Sequence, residues 1–133
     1  MLNYSTSDMT FQSLDFIYIP SKDVDKELKY YVESLGAEEV FNIKDMGTQV
    51  AMMKMLGGGP RLLLADHLEG LPIMIYRVED IKKAKKELKQ RGWKKENEVE
   101  IPHGPCAVYQ PRDGQRFAIY ELVRPEADQF LTR

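Results

Sequence analysis

The sequence has one cysteine and almost no net charge, and each of these small numbers argues against a class of protein. A single cysteine, Cys106, cannot form an internal disulfide and favours a reducing compartment. The net charge of −2 gives no reason to expect binding to nucleic acid or to an anionic membrane. No apolar run approaches the roughly 20 residues that span a bilayer, and the polar start lacks a signal-peptide pattern. We therefore expect a soluble, cytoplasmic protein.

The first half of the chain predicts a strand, a helix and three further strands. Leu14–Pro20 is aromatic and β-branched, which is typical of a strand. Ser21 then offers a helix N-cap, with Asp23 in the first turn, and apolar residues at helical spacing continue to Gly36, a C-terminal cap. Strand-like segments follow at Val40–Ile43, Thr48–Leu56 and Arg61–Ala65.

The second half repeats this order. Leu71–Val78 predicts a strand, and Glu79–Asp80 opens a helix that ends at Gly92. Three strand-like segments follow, around Val99–Ile101, Cys106–Tyr109 and Arg116–Leu122, the last two joined by a turn at Pro111–Gly114. The helix starts Asp23 and Asp80 are 57 residues apart (80 − 23), which favours an internal repeat. We predict one α+β domain over residues 1–133, with βαβββ modules at about 14–66 and 71–123 and short polar tails.

Two βαβββ units in one short chain resemble the vicinal-oxygen-chelate superfamily, which includes glyoxalases, bleomycin-resistance proteins and extradiol dioxygenases. Phe16–Gly36, with its Tyr-Tyr-Val-Glu-Ser-Leu-Gly ending, is similar to the opening of that fold. Arg61–Asp66 resembles its fourth strand, and Pro111–Phe117 its last hairpin, with Arg112 as one extra turn residue. The resemblance covers about residues 14–123. It implies a curved mixed sheet that forms a cup, with the helices outside.

The resemblance also implies where a metal would bind. Metal-dependent members carry ligands, mostly His and Glu, on the first and last strands of each module. Those positions correspond here to Phe16, Leu63, Ile73 and Ala118. None has a nitrogen, oxygen or sulfur donor in its side chain, so a site of that type and its metal cofactor are not expected. These residues either fill a core or line an apolar pocket.

Strand alternation extends this set to a predicted ligand-binding surface. If the four implied positions face the cup, residues an even number of positions away share that face. The surface then comprises Phe16, Tyr18, Leu63, Ile73, Ile75, Arg77, Arg116, Ala118 and Tyr120. Its composition suits an apolar or amphipathic ligand that carries an anionic group. The alternative is that its tyrosines pack structurally and its arginines lie in water at strand ends.

The remaining reactive side chains give no convincing catalytic set. His67 and His103 both fall in predicted loops and are expected to be exposed, with no ligand-like spacing between them. Cys106, on a strand, is expected to be a small buried hydrophobic residue rather than a nucleophile. The lysine-rich helix after Asp80 is interpreted as a solvated face.

The sequence therefore favours a metal-independent protein that sequesters a small molecule, similar in kind to bleomycin-resistance proteins. By analogy it would be a homodimer. One alternative is a metal-dependent lyase, isomerase or dioxygenase of the same superfamily with displaced ligands, for which His67, His103, Asp66 and Glu121 are the candidates. Another is a structural or regulatory domain that binds no small molecule.

Overall fold

The order of strands and helices contains the βαβββ unit twice, as the sequence predicts. The structure is a computed structural model that describes residues 11–67, 69–110 and 115–127. Its elements are β1 (Ser13–Pro20), α1 (Val24–Leu35), β2 (Ala37–Asp45), β3 (Thr48–Met55), β4 (Arg61–Ala65), β5 (Ile73–Val78), α2 (Ile81–Gln90), β6 (Lys95–Ile101), β7 (Gly104–Tyr109) and β8 (Phe117–Glu121). The turn predicted at 111–114 lies outside the described residues. The exact module limits stay a prediction.

The strands form one mixed sheet in the order β2-β3-β4-β1-β5-β8-β7-β6. The first strands of the two units, β1 and β5, pair antiparallel at its centre, with Tyr18 opposite Ile73. Within each unit the first and last strands pair parallel, β1 with β4 and β5 with β8. The sheet is curved, so the predicted α+β fold with a cup is confirmed.

The two faces of the sheet carry different apolar clusters. On the outer face, α1 packs through Val24 and Leu28 in one cluster, and α2 packs through Ile81, Ala84 and Leu88 in another. A third cluster occupies the concave face, where no helix lies, and it draws on both modules. Its buried members are Phe16, Val40, Met52, Leu63, Ile73, Ile75, Cys106, Val108, Ala118 and Tyr120. The concave face is thus apolar, and neither α1 nor α2 covers it.

The first helix begins two residues later than the sequence suggested. Its N-cap is Asp23, whose carboxylate accepts a hydrogen bond from the Lys26 amide at 3.1 Å. The Ser21 prediction is wrong because Ser21 still belongs to the end of the strand region, where its amide donates to the Ala65 carbonyl at 2.9 Å. Its hydroxyl is buried without a partner among the described residues. Asp80 caps α2 as predicted, accepting from the Lys82 and Lys83 amides.

The edge strands are longer than their sequence patterns indicated. β2 and β6 pair on one side only, and most of their side chains are exposed. Because an edge strand buries few residues, its apolar alternation is weak and its ends are hard to recognise. Neither described helix is long and apolar enough to cross a membrane.

A close approach between two backbone segments fixes the loop that leads into β7. A Cβ added to Gly104 would lie 1.9 Å from the Glu121 carbonyl oxygen. Next to this contact, the Val123 and Arg124 amides both donate to the His103 carbonyl, each at 3.0 Å. Only glycine fits at position 104 without moving one of the two segments.

We predict that Gly104→Ala lowers the free energy of unfolding by about 1–3 kcal/mol, the usual range for overpacking a tight site. Gly57→Ala is the matched control, because nothing lies within 4 Å of a Cβ added there. Urea unfolding of both variants measures the difference. Equal stabilities would show that the two segments separate at little cost.

Candidate functional site

The concave face encloses a cavity of about 530 Å³ to which all eight strands contribute. The volume lies within the range of small-molecule sites in proteins. Most of its lining is aliphatic or aromatic: Phe16, Phe41, Ile43, Val50, Met52, Leu63, Ile73, Ile75, Val99, Ile101, Val108 and Ala118. Such a lining takes apolar surface out of water and orients a ligand only through a few polar groups.

Most of the predicted ligand-binding surface lies in this cavity. Seven of its nine residues line it: Phe16, Tyr18, Leu63, Ile73, Ile75, Arg116 and Ala118. Arg77 and Tyr120 do not line the cavity, although their pairing across β5 and β8 puts them on the same face of the sheet. Arg77 lies near the end of β5, where its carbonyl accepts from the Gln12 amide. Whether any of these residues binds a ligand stays a prediction.

Tyr120 belongs to a smaller neighbouring cavity of about 290 Å³. The tyrosine is buried, and its hydroxyl donates a hydrogen bond to the Asp15 carboxylate. Asp15 sits in a bulge of β1 and has no paired residue on β5, which turns its side chain toward Tyr120. Phe16 and His103 line both cavities and so form the wall between them.

His103 is buried, with 4% of its surface exposed, so the expectation of an exposed loop histidine is wrong for this residue. Its ring lies 4.9 Å from that of Phe16, measured between centroids. Arg124 holds the preceding loop in place by donating to the Ile101 and Pro102 carbonyls, at 2.9 and 2.8 Å. These contacts are far apart in sequence, so no local pattern could reveal them. His67, in contrast, is exposed as expected and lies at the mouth of the cavity.

Two further polar groups face the cavity from its floor and wall. Burial raises the pKa of the Cys106 thiol from 9.0 to about 12, so the thiol is protonated near neutral pH and is a poor nucleophile. Burial, together with the nearby Cys106, also raises the pKa of the Tyr18 phenol above its ordinary value. Both groups are therefore neutral under ordinary conditions.

Arg116 lines the cavity, but its guanidinium is held by the protein. Nη2 donates to the Glu69 and Leu71 carbonyls at 2.6 and 3.0 Å, and Nη1 lies 3.7 Å from the Glu96 carboxylate. These bonds fix the segment between β4 and β5 to the start of β8. The predicted role for this arginine, binding an anionic group of the ligand, has little support from its geometry.

The carboxylates suspected for an enzyme have structural partners. Asp66 accepts from the Gln49 amide at 2.9 Å, which joins the end of β4 to β3. Glu121 accepts from the Ile81 amide at 3.0 Å and so caps the first turn of α2. Neither residue lines the cavity.

The residues present do not fit the metal that the fold family implies. Phe16, Leu63, Ile73 and Ala118 all line the cavity, and none offers a donor atom. Within residues 11–67, 69–110 and 115–127, no three His, Cys, Asp or Glu side chains form a group that could hold a metal ion. The described residues therefore do not form the metal site of this fold family, and no metal-dependent reaction step is derived from them.

Several solved structures are similar to this chain over most of its length. A methylmalonyl-CoA epimerase from Mycobacterium tuberculosis superposes with a TM-score of 0.73 at 18% identity, over 94% of this chain and 96% of that one. The Streptomyces coelicolor methylmalonyl-CoA epimerase, in complex with 2-nitronate-propionyl-CoA, gives 0.69 at 16% identity, over 86% and 100%. The chain has the vicinal-oxygen-chelate fold. A hypothetical protein from Bacillus halodurans also shares it, with a TM-score of 0.66 at 20% identity, over 82% and 93%.

Sequence comparison adds nothing to this result, since neither a protein-family model nor a curated protein matches the chain. Identities of 16–20% establish the fold and leave the activity open.

We predict that the vicinal-oxygen-chelate cavity shields Cys106 from alkylation. Only the thiolate attacks iodoacetamide, so a pKa of about 12 and burial should slow the reaction at pH 8.5 by a factor on the order of 100 or more, compared with the unfolded chain in urea. The rate should keep rising well above pH 9 as the thiol titrates. Because the chain has one cysteine, mass spectrometry reports this site alone. If Cys106 were alkylated equally fast in the folded protein and in urea, the fold would not protect the thiol and the prediction would be wrong.

Proposed function

We propose that this protein binds a small apolar or amphipathic molecule in its cup, without a metal ion. The observation that carries the proposal is the cavity of about 530 Å³, lined largely by aliphatic and aromatic side chains. The four positions where metal-dependent relatives would carry ligands form part of that apolar lining. A site of this composition suits removal of a ligand from water better than it suits polarisation of a bond.

The apolar lining is sufficient for useful affinity. Burying about 300 Å² of apolar ligand surface contributes roughly 7 kcal/mol at about 25 cal/mol per Å². Loss of translational and rotational freedom opposes binding by several kcal/mol, so dissociation constants in the micromolar to millimolar range are expected for simple apolar probes. A natural ligand would gain further affinity from the polar groups at the wall and mouth. Assembly as a homodimer and residence in the cytoplasm remain predictions from analogy and composition.

The second candidate is an isomerase that moves a proton on a CoA ester. It is favoured by the fold comparisons, because two of the solved structures are methylmalonyl-CoA epimerases and one of these holds a CoA compound. Besides Tyr18, Cys106 and Arg116, the titratable side chains in the described lining are His67, His103, Glu96 and Glu100. Proton abstraction needs such a group within hydrogen-bond reach of the reacting carbon. Glu96 and Glu100 are paired with Arg116 and Arg124, and the two histidines are the groups to test first.

We predict that Ala118→Leu abolishes binding of the neutral dye N-phenyl-1-naphthylamine while leaving stability nearly unchanged. Ala118 is fully buried at the floor of the cavity, so a larger side chain there projects into ligand space. The dye's fluorescence increase on entering an apolar site gives the dissociation constant. Retained binding in a folded variant would place the dye elsewhere.

Ala84→Leu is the matched control for this experiment. Ala84 is equally buried but lies between α2 and the outer face of the sheet. Overpacking there should lower stability by about 1–3 kcal/mol and leave dye binding intact below the unfolding transition. Ala118→Leu should therefore remove dye binding and keep stability, whereas Ala84→Leu should lower stability and keep dye binding.

We predict that the protein does not accelerate exchange of the α-proton of methylmalonyl-CoA in deuterium oxide. The reason is that the described cavity lining has no unengaged carboxylate and no group of three side chains that could hold a metal ion. Mass spectrometry of the recovered thioester, with and without added Co²⁺ or Zn²⁺, measures the exchange against a protein-free sample. Exchange that depends on the protein, and is lost in His67→Gln or His103→Gln, would establish the epimerase candidate instead.

A further inference from the structure

Among the described residues that line the cup, Tyr18 on β1 is the one with a hydroxyl group. Tyr18 lies at the centre of the sheet, paired with Leu63 on β4 and with Ile73 on β5. Its ring stands edge-on to that of His67, with 6.3 Å between centroids, and Cys106 lies nearby. Tyr18 is thus a hydroxyl-bearing side chain between apolar floor positions and the mouth.

The Tyr18 hydroxyl has no hydrogen bond to any described residue. Burial holds its pKa above the ordinary value, so the group is a neutral phenol that retains its O–H at physiological pH. A half-buried hydroxyl without a protein partner satisfies its hydrogen-bonding capacity through water or a ligand. Among the wall groups it is a donor that the fold leaves available for recognition.

The charges around the cavity disfavour an anion. Arg116, a cation in the lining, already serves two carbonyls and the Glu96 carboxylate. Arg77, expected from the sequence to face the ligand, does not line the cavity. Two carboxylates, Glu96 and Glu100, lie in the lining near the mouth. Among the lining residues that the structure describes, an anionic group would meet these carboxylates and no arginine or lysine without a protein partner, so the loss of its hydration would not be offset.

We propose that Tyr18 recognises an uncharged acceptor oxygen, such as the carbonyl of a ketone, ester or amide, on an otherwise apolar ligand. The apolar part would lie on the floor formed by Phe16, Ile73 and Ala118, with the carbonyl directed toward Tyr18 and His67. This inference rests on the proposed function and specifies its ligand class. It replaces the anionic ligand expected from the sequence with a neutral one.

Three naphthalene compounds test the proposal. 2-Acetylnaphthalene carries the carbonyl, 2-isopropylnaphthalene replaces its oxygen by a methyl group, and 2-naphthoate carries a negative charge. Each is titrated against the protein with bound N-phenyl-1-naphthylamine, and dye displacement gives its affinity. The comparison is made for the natural chain, for Tyr18→Phe, and for Tyr30→Phe as a control on the exposed side of α1, where Tyr30 is 57% exposed.

Tyr18→Phe should weaken 2-acetylnaphthalene about 3- to 10-fold, the range expected for one neutral hydrogen bond. The affinity of 2-isopropylnaphthalene should stay the same or rise, and Tyr30→Phe should change neither. 2-Naphthoate should bind most weakly of the three. The proposal would be overturned if Tyr18→Phe left the ratio of the affinities for 2-acetylnaphthalene and 2-isopropylnaphthalene unchanged. It would also be overturned if the natural chain bound 2-naphthoate more tightly than 2-acetylnaphthalene.

The same experiment separates this inference from the proposed function. If the dye and the two neutral compounds bind but Tyr18→Phe has no selective effect, the cup binds apolar ligands and only the role of Tyr18 is wrong. If the dye does not bind to the natural chain at all, the proposed function fails and this inference fails with it.

Discussion

The antiparallel pairing of β1 with β5 is the constraint on which the rest of the structure depends. It joins the two modules at the centre of the sheet and places Tyr18 opposite Ile73, and Phe16 opposite Ile75. Since paired side chains point to the same face, this register brings the inward residues of both modules into one surface. A shift of one residue would send Phe16 and Tyr18 to the helical side and remove the floor of the cup.

The same register explains why the two faces of the sheet differ in what covers them. Residues that alternate with the cup set, such as Leu64 and Ile119, are fully buried against the helices. The inward residues have no helix to cover them and are protected by the curvature of the sheet alone. Curvature around eight strands leaves a cavity rather than a close-packed core. A ligand that fills such a cavity binds only the folded protein and so raises its free energy of unfolding.

Much of this arrangement could be predicted from the sequence, because it depends on local periodicity. The order of elements and the helix caps at Asp80 and Gly36 follow from spacing and residue type. The inward set on β1, β5 and β8 comes from the positions that the family resemblance implies, extended by strand alternation. The prediction was wrong where tertiary contacts decide. The bulge at Asp15 and the pairing of Tyr120 with its carboxylate are invisible to alternation, which assumes regular strands. The burial of His103 depends on Arg124 and on the contact at Gly104, both distant in sequence.

The charged residues near the cup also show that residue type alone does not reveal a side chain's role. From the sequence, Arg116 is a cation on an inward-facing strand and so indicates an anionic ligand. In the structure its guanidinium stabilises the connection between the modules, because the Glu69 and Leu71 carbonyls need donors there. A buried or half-buried cation that satisfies backbone carbonyls is costly to redirect, since the carbonyls would lose their partners. One group that the fold leaves available to select a ligand is the neutral Tyr18 phenol, within an apolar wall. The ligand chemistry of the cup thus follows from which polar groups the fold itself has already used.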